Sequence, residues 1–110
     1  MHDEHKGRAL AAAREGQRVA VVAATLPAAQ EICGRLADLV EGEPAVKVRR
    51  LNGAHSIDFA GGGSIVFRSF RSSHRGMSFD RVFVPIGTSA DLVRELLPSL
   101  SVSGGPLVGY

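Results

Sequence analysis

Tryptophan is absent from the 110-residue chain, and tyrosine and cysteine each occur once. A single cysteine excludes an intramolecular disulfide, and with it a disulfide-built scaffold or a four-cysteine metal site. No apolar run approaches the roughly 20 residues needed to span a bilayer, and no signal peptide is visible. These absences lead to the expectation of a soluble, cytoplasmic protein with no membrane attachment. A strong charge of one sign is also missing: 13 Lys and Arg stand against 11 Asp and Glu, a formal net charge of +2. Lysine itself is scarce. Only Lys6 and Lys47 are lysines, and the other basic residues are arginines. The guanidinium fork suits phosphates and carboxylates, although a GC-rich genome enriches arginine as well. What is present in quantity is apolar: 45% of residues, enough to build a core, so disorder is excluded and the length fits one domain over 1–110.

Residues 3–15 read as a helix rich in strong helix formers, stopped by Gly16. Arg18–Ala24 is a short continuous apolar run, the pattern of a strand buried on both faces. Thr25-Leu26-Pro27 opens a second helix, with a capping hydroxyl and a proline suited to the first turn. Its Ala29, Ile32, Cys33, Leu36 and Val40 recur at three- and four-residue steps, and Gly42 and Pro44 end it. Cys33 on that apolar face reads as core rather than as a reactive thiol. Val46–Leu51 alternates as a strand with one polar face, and Asn52-Gly53 is a turn signal. Ser56–Phe59 and Ser64–Phe70 then read as a hairpin around Ala60-Gly61-Gly62-Gly63. The glycines are a turn and not a phosphate cradle, because no Lys-Ser/Thr follows and no helix opens there.

Arg71–Ser78 is polar and loop-like. Arg81–Val84 is another buried strand closed by Pro85 and Gly87, and Thr88 or Ser89 caps a helix over 90–97 that ends at Pro98. After Gly104-Gly105 a last short strand runs from Pro106 to Tyr110. Alternation of this kind predicts an α/β layer fold with a mostly parallel sheet. A flavodoxin-like or Rossmann-type arrangement satisfies the same pattern.

The order of motifs resembles the first RecA-like domain of phage terminase large subunits and superfamily-two helicases. Gln17–Leu36 is similar to the family's strand that ends in a Thr-containing motif and begins the next helix. Gly63-Ser64-Ile65-Val66-Phe67 is similar to the family's hairpin strand. Arg75-Gly76-Met77-Ser78-Phe79-Asp80 has the family's spacing ahead of the Walker B strand, here Arg81–Val84. Pro106–Tyr110 looks like the strand before the coupling motif. The resemblance implies a three-layer RecA-like core of the P-loop NTPase kind, with a mostly parallel sheet plus a β-hairpin.

Two departures bear on function. The chain begins at Met1, too late for the family's phosphate loop or its strand. The family's Walker B strand is followed by Asp-Glu, which holds magnesium and polarises water, whereas Pro85-Ile86 stand here. The resemblance therefore implies a degenerate, non-catalytic, phage-encoded domain with no cofactor. It also implies that 106–110 is an open sheet edge, so Pro106, Leu107, Val108 and Tyr110 are expected to pair with a second copy or with another protein. A nucleotide-binding module completed by a partner subunit is a further reading.

A separate expectation concerns basic residues. Arg68, Arg71, His74, Arg75 and Arg81 lie close in sequence, with Arg49 and Arg50 on a preceding strand. Gathered by the hairpin, they would form a patch for nucleic-acid phosphates, making the chain an accessory DNA-binding factor. Solvated arginines paired with Asp58 and Asp80 are the alternative. His2 and His5 with Asp3 and Glu4 sit at a chain terminus and are not read as a metal site. Ser73-His74 are neighbours in sequence only, which does not make a catalytic pair.

Overall fold

The run Val19–Ala23 is buried at every position, as its unbroken apolar character requires. It forms β1 (Arg18–Ala23), the centre of a six-stranded sheet of order β2-β3-β4-β1-β5-β6. The other strands are β2 (Val46–Leu51), β3 (Ala54–Phe59), β4 (Ser64–Ser69), β5 (Arg81–Val84) and β6 (Leu107–Gly109). β4, β1, β5 and β6 run parallel, whereas β2, β3 and β4 form an antiparallel arm. The expected hairpin is thus wider than two strands, because β2 zips onto β3 along its whole length. The computed structural model describes residues 1–51, 54–72 and 77–110. The turn expected at Asn52-Gly53, and His74 and Arg75, lie outside them.

Helices α1 (Asp3–Arg14) and α2 (Leu26–Leu39) cover one face of the sheet. There Ala9, Ala13, Ile32, Cys33 and Leu36 pack with Val19, Val21, Ile65, Phe67 and Phe83. Phe67, Phe83, Leu36, Ile57 and Ile65 are among the largest fully buried side chains, each contributing about 1.5–3 kcal/mol of burial. Helix α3 (Ala90–Leu96) and a 3₁₀ turn (Leu97–Leu100) cover the other face, where Leu96 and Leu100 meet Ala20, Val22, Val82 and Val84. The result is the three-layer arrangement that the alternation predicts.

Local chemistry sets the element ends. The Thr25 hydroxyl accepts from the Ala28 amide at 3.2 Å, and the Ser89 hydroxyl from Leu92 at 3.4 Å, so both expected caps form. Gly16 stops α1 at a φ of +89°, its amide donating to the Ala13 carbonyl. The third helix stops one residue short of the expected 97. Pro98 has no amide to donate, and the chain tightens into the 3₁₀ turn, where the Ser99 hydroxyl donates to the Leu96 carbonyl at 2.6 Å.

Candidate functional site

After β1 the chain turns to α2 on one face, and after the adjacent β5 it turns to α3 on the other. The crevice beyond the C-terminal ends of β1 and β5 is therefore the topological switch point, where open α/β sheets bind ligands. On the β5 side it is formed by Pro85, Ile86 and Gly87. The Pro85 carbonyl accepts from the Thr88 hydroxyl at 2.6 Å, and Gly87 has a φ of +89°. Ile86 is 79% exposed. Neither side chain, Pro85 or Ile86, carries a group that can ligate a metal or accept a proton. Asp80 lies at the opposite end of β5, where its carboxylate accepts from the Arg18 amide at 2.8 Å and its own amide donates to the Arg18 carbonyl. It is a clamp between strand starts. Among the described residues no group of three His, Cys, Asp or Glu could hold a metal ion, and no helix is long and apolar enough to cross a membrane.

Tyr110 crosses this crevice. Its amide donates to the Val84 carbonyl, its carbonyl accepts from Ile86, and its hydroxyl donates to the Val22 carbonyl at 2.7 Å. Val22 lies one residue beyond the last β1–β5 register pair, Val21 with Phe83. Burial pushes the phenol up to about 12, so it stays a neutral donor at ordinary pH. Met1 and His2 border the same side of Tyr110 across an open cleft of about 410 Å³. Sequence reasoning placed Tyr110 on the edge strand and missed this side-chain bond; a lone tyrosine at the end of an apolar strand was the only signal.

β6 is the sheet's outer strand, as expected of 106–110. Pro106 and Tyr110 bond inward to β5, so the Leu107 and Gly109 backbone groups point outward. Leu107 and Val108 are only half-buried, and no charged residue occurs from Gly104 to Tyr110. The opposite edge, β2, carries Lys47, Arg49 and Arg50.

The register divides the expected arginine cluster. Cross-strand partners share a face, so Lys47 with Asp58, Arg49 with Ser56, and Ser56 with Val66 lie on the α3 side together with Arg68. Among the described residues, the buried α3-side cluster takes only Val66 from the arm strands. Arg49, Ser56, Val66 and Arg68 there help to line a cleft of about 280 Å³. The Arg49 guanidinium meets Asp58 at 2.8 Å, and burial lowers the pKa of Arg68. Arg71 is exposed just past the end of β4. Arg50 faces the other way, toward α2, beside Asp38, Glu41 and Glu43. Arg81 begins β5, opposite Val19, at the far end of the sheet from Arg68. The structure thus brings together Arg49 and Arg68, adds Lys47, and separates Arg50 and Arg81.

No protein-family model and no curated protein matches the chain. Solved structures do. The large terminase of a thermophilic bacteriophage, in complex with ATP-gamma-S, superposes with a TM-score of 0.69 at 16% identity, covering 94% of this chain and 28% of that one. The same protein in complex with ADP gives a TM-score of 0.61 at 18% identity, over 84% and 25%. A mutant large terminase ATPase domain from Thermus phage P74-26 gives 0.59 at 20% identity, over 94% and 54%. The fold is that of a phage large terminase ATPase domain. The terminase-like chain spans about a quarter of the length of the first terminase and about half of the Thermus phage domain.

Proposed function

We propose that the chain is a phage terminase-related domain that hydrolyses no nucleotide itself and acts through association at β6. The observation that carries the first half is Pro85-Ile86 at the end of β5. The resembled family carries its metal-holding and water-polarising acids there, and a proline and an isoleucine supply neither function. The second half is supported by the contrast between the two sheet edges. β2 is guarded by three basic side chains, whereas β6 presents outward backbone groups with no charge beside them. The occupant is a second copy or another protein. Titration with labelled ATP and magnesium tests the catalytic half: the expected result is neither hydrolysis nor micromolar binding. Micromolar binding favours the module completed by a partner subunit and overturns this one. Sedimentation tests the association. Ile86→Glu, a charge on an exposed position beside Gly109, is expected to weaken self-association about tenfold or more. A strict monomer at high concentration with β6 unprotected would sink it.

A second reading has one observation in its favour. Lys47, Arg49 and Arg68 share one sheet face, on which Asp58 pairs with Arg49. If that face tracks a nucleic-acid backbone, affinity falls steeply with salt, and Arg49→Ala, Arg68→Ala and Arg71→Ala each lower the salt slope by about one. Salt-independent binding would rule it out.

A further inference from the structure

β6 has three residues, and both its side chains facing the core are only half-buried. Its neighbour β1 is fully buried over five consecutive residues. Leu107 and Val108 pack only partly against the two buried clusters, and the two ends of the strand are fastened by specific contacts as well. At the start, the Ser103 hydroxyl donates to the Phe79 carbonyl at 2.8 Å and accepts from the Gly105 amide at 3.0 Å. Gly105 sits so close to the Asp80 carbonyl that no side chain fits between them. Between Ser103 and Gly105, Gly104 has a φ of +67°, and its amide donates to the Leu100 carbonyl at 2.8 Å. At the other end every fastening belongs to Tyr110: its amide to Val84, its carbonyl from Ile86, and its hydroxyl to Val22, two strands away.

We propose that Tyr110 is a latch that decides whether β6 is part of the sheet. With the phenol on the Val22 carbonyl, Leu107–Gly109 is a registered strand and a docking edge exists. With the phenol released, the segment beyond Gly104-Gly105 swings free and no edge is offered. The consequence for docking rests on the association proposed above; the latch itself does not. The geometry is specific. Val22 has passed the last β1–β5 register pair, so its carbonyl lacks a β5 ladder partner and is satisfied by the phenol. A buried carbonyl that loses its donor is costly, so the closed state is favoured as long as the hydroxyl keeps its proton. Among the described residues, Met1 and His2 line the cleft beside Tyr110.

The chain offers its own probe. Tyr110 is the only tyrosine and there is no tryptophan, so phenolate absorbance reports on this one side chain. In the closed state the phenol titrates near 12 instead of the ordinary 10. Tyr110→Phe keeps the ring and removes the latch bond. Amide exchange in the variant is expected to accelerate about tenfold at position 110 and at Ile86, the amides bonded between the end of β6 and β5, with the amides of α2 and of Val19–Val21 unchanged. A wild-type phenol titrating near 10, or exchange at those two amides identical in the two proteins, overturns the latch. Should Tyr110→Phe fail to fold, the wild-type titration alone decides. A working latch whose loss leaves self-association untouched supports the latch and sinks docking at β6. Association at β6 that survives with no change in exchange sinks the latch and leaves docking standing.

Discussion

Replacing Gly63 by alanine should be among the most damaging single-methyl additions in the molecule. Gly63 closes the β3–β4 turn, its carbonyl accepting from Phe59 at 2.9 Å, and its backbone lies flat against the end of α1. A Cβ there would stand 2.7 Å from the Ala13 carbonyl carbon and closer still to its oxygen. Ordinary carbon–carbon contact begins at about 3.5 Å, so the two backbones must part by roughly 1 Å. Neither can yield cheaply. The Ala13 carbonyl is the acceptor for the Gly16 amide that terminates α1, and Ala9, Ala12 and Ala13 are buried against the sheet. On the other side, the Ser64 amide donates to the Gln17 carbonyl at 3.0 Å, fixing β4 to the start of β1. Two backbones meeting without a side chain to adjust belong at the top of the overpacking range, about 3 kcal/mol or more. Against a total of about 5–15 kcal/mol that is a large loss, corresponding to roughly 12 °C or more in Tm.

The neighbouring glycines are internal controls. Gly61 has nothing within 4 Å and no positive φ, so Gly61→Ala should be neutral or stabilise by up to about 1 kcal/mol. Gly62 also has open space but a φ of +90°, and Gly62→Ala should cost about 1–2 kcal/mol. Urea denaturation followed by far-ultraviolet circular dichroism measures all three. A Gly63→Ala variant within about 1 kcal/mol of the parent, or a different ranking of the three, would refute the packing argument.

Thr25→Ala removes the hydroxyl that caps α2 and should cost about 1 kcal/mol by the same denaturation assay; an unchanged midpoint would show that the cap contributes nothing. Cys33 is fully buried, and burial, partly opposed by Arg50, raises its thiol pKa. Thiol reagents should therefore label it only through opening, at rates that climb with urea, and fast labelling of the native protein would contradict this placement. A raised folded-state pKa on an acid means that the thiol's share of stability is whole below the unfolded value, about 8.5, and is lost as pH rises toward the folded one. The alkaline limb of a stability–pH curve should accordingly flatten in Cys33→Ala.

The parts of the fold legible in the sequence are those set by local chemistry. Val19–Ala23 is apolar without alternation and lies at the sheet centre. Thr25, Pro27, Gly16 and Ser89 mark helix ends through capping, ring geometry and φ. The arginine cluster was legible only as a count. Arg49 and Arg50 are adjacent on a strand and so must face opposite sides, a period-two argument available from sequence. Arg68 is fifth in its strand and Arg81 first in a strand running parallel to β4 within the same sheet, which puts them at opposite ends. What could not be read is register. Only pairing of β2 with β3 and of β3 with β4 brings Lys47, Arg49 and Arg68 to one face. The Tyr110 bond to Val22 spans 88 residues of chain and depends on that same long-range assembly.

The residues that hold β5 in the sheet are distinct from the two that follow it. Val82, Phe83 and Val84 are buried between the two helical layers, and their burial fixes β5 in the sheet whatever follows them. The two residues that follow are outside the core, Ile86 nearly fully so, and their identity costs the fold little. Selection on packing acts on the strand, and selection on chemistry acts on the turn immediately after it. Changes at positions 85 and 86 therefore leave the sheet order intact. At β6, too, the half-buried Leu107 and Val108 lie at the margin of the sheet, apart from the fully buried β1. Conservation of the fold at 20% identity or less is what this division of labour produces: the buried strands hold the architecture, and the positions at strand ends and edges decide what the architecture does.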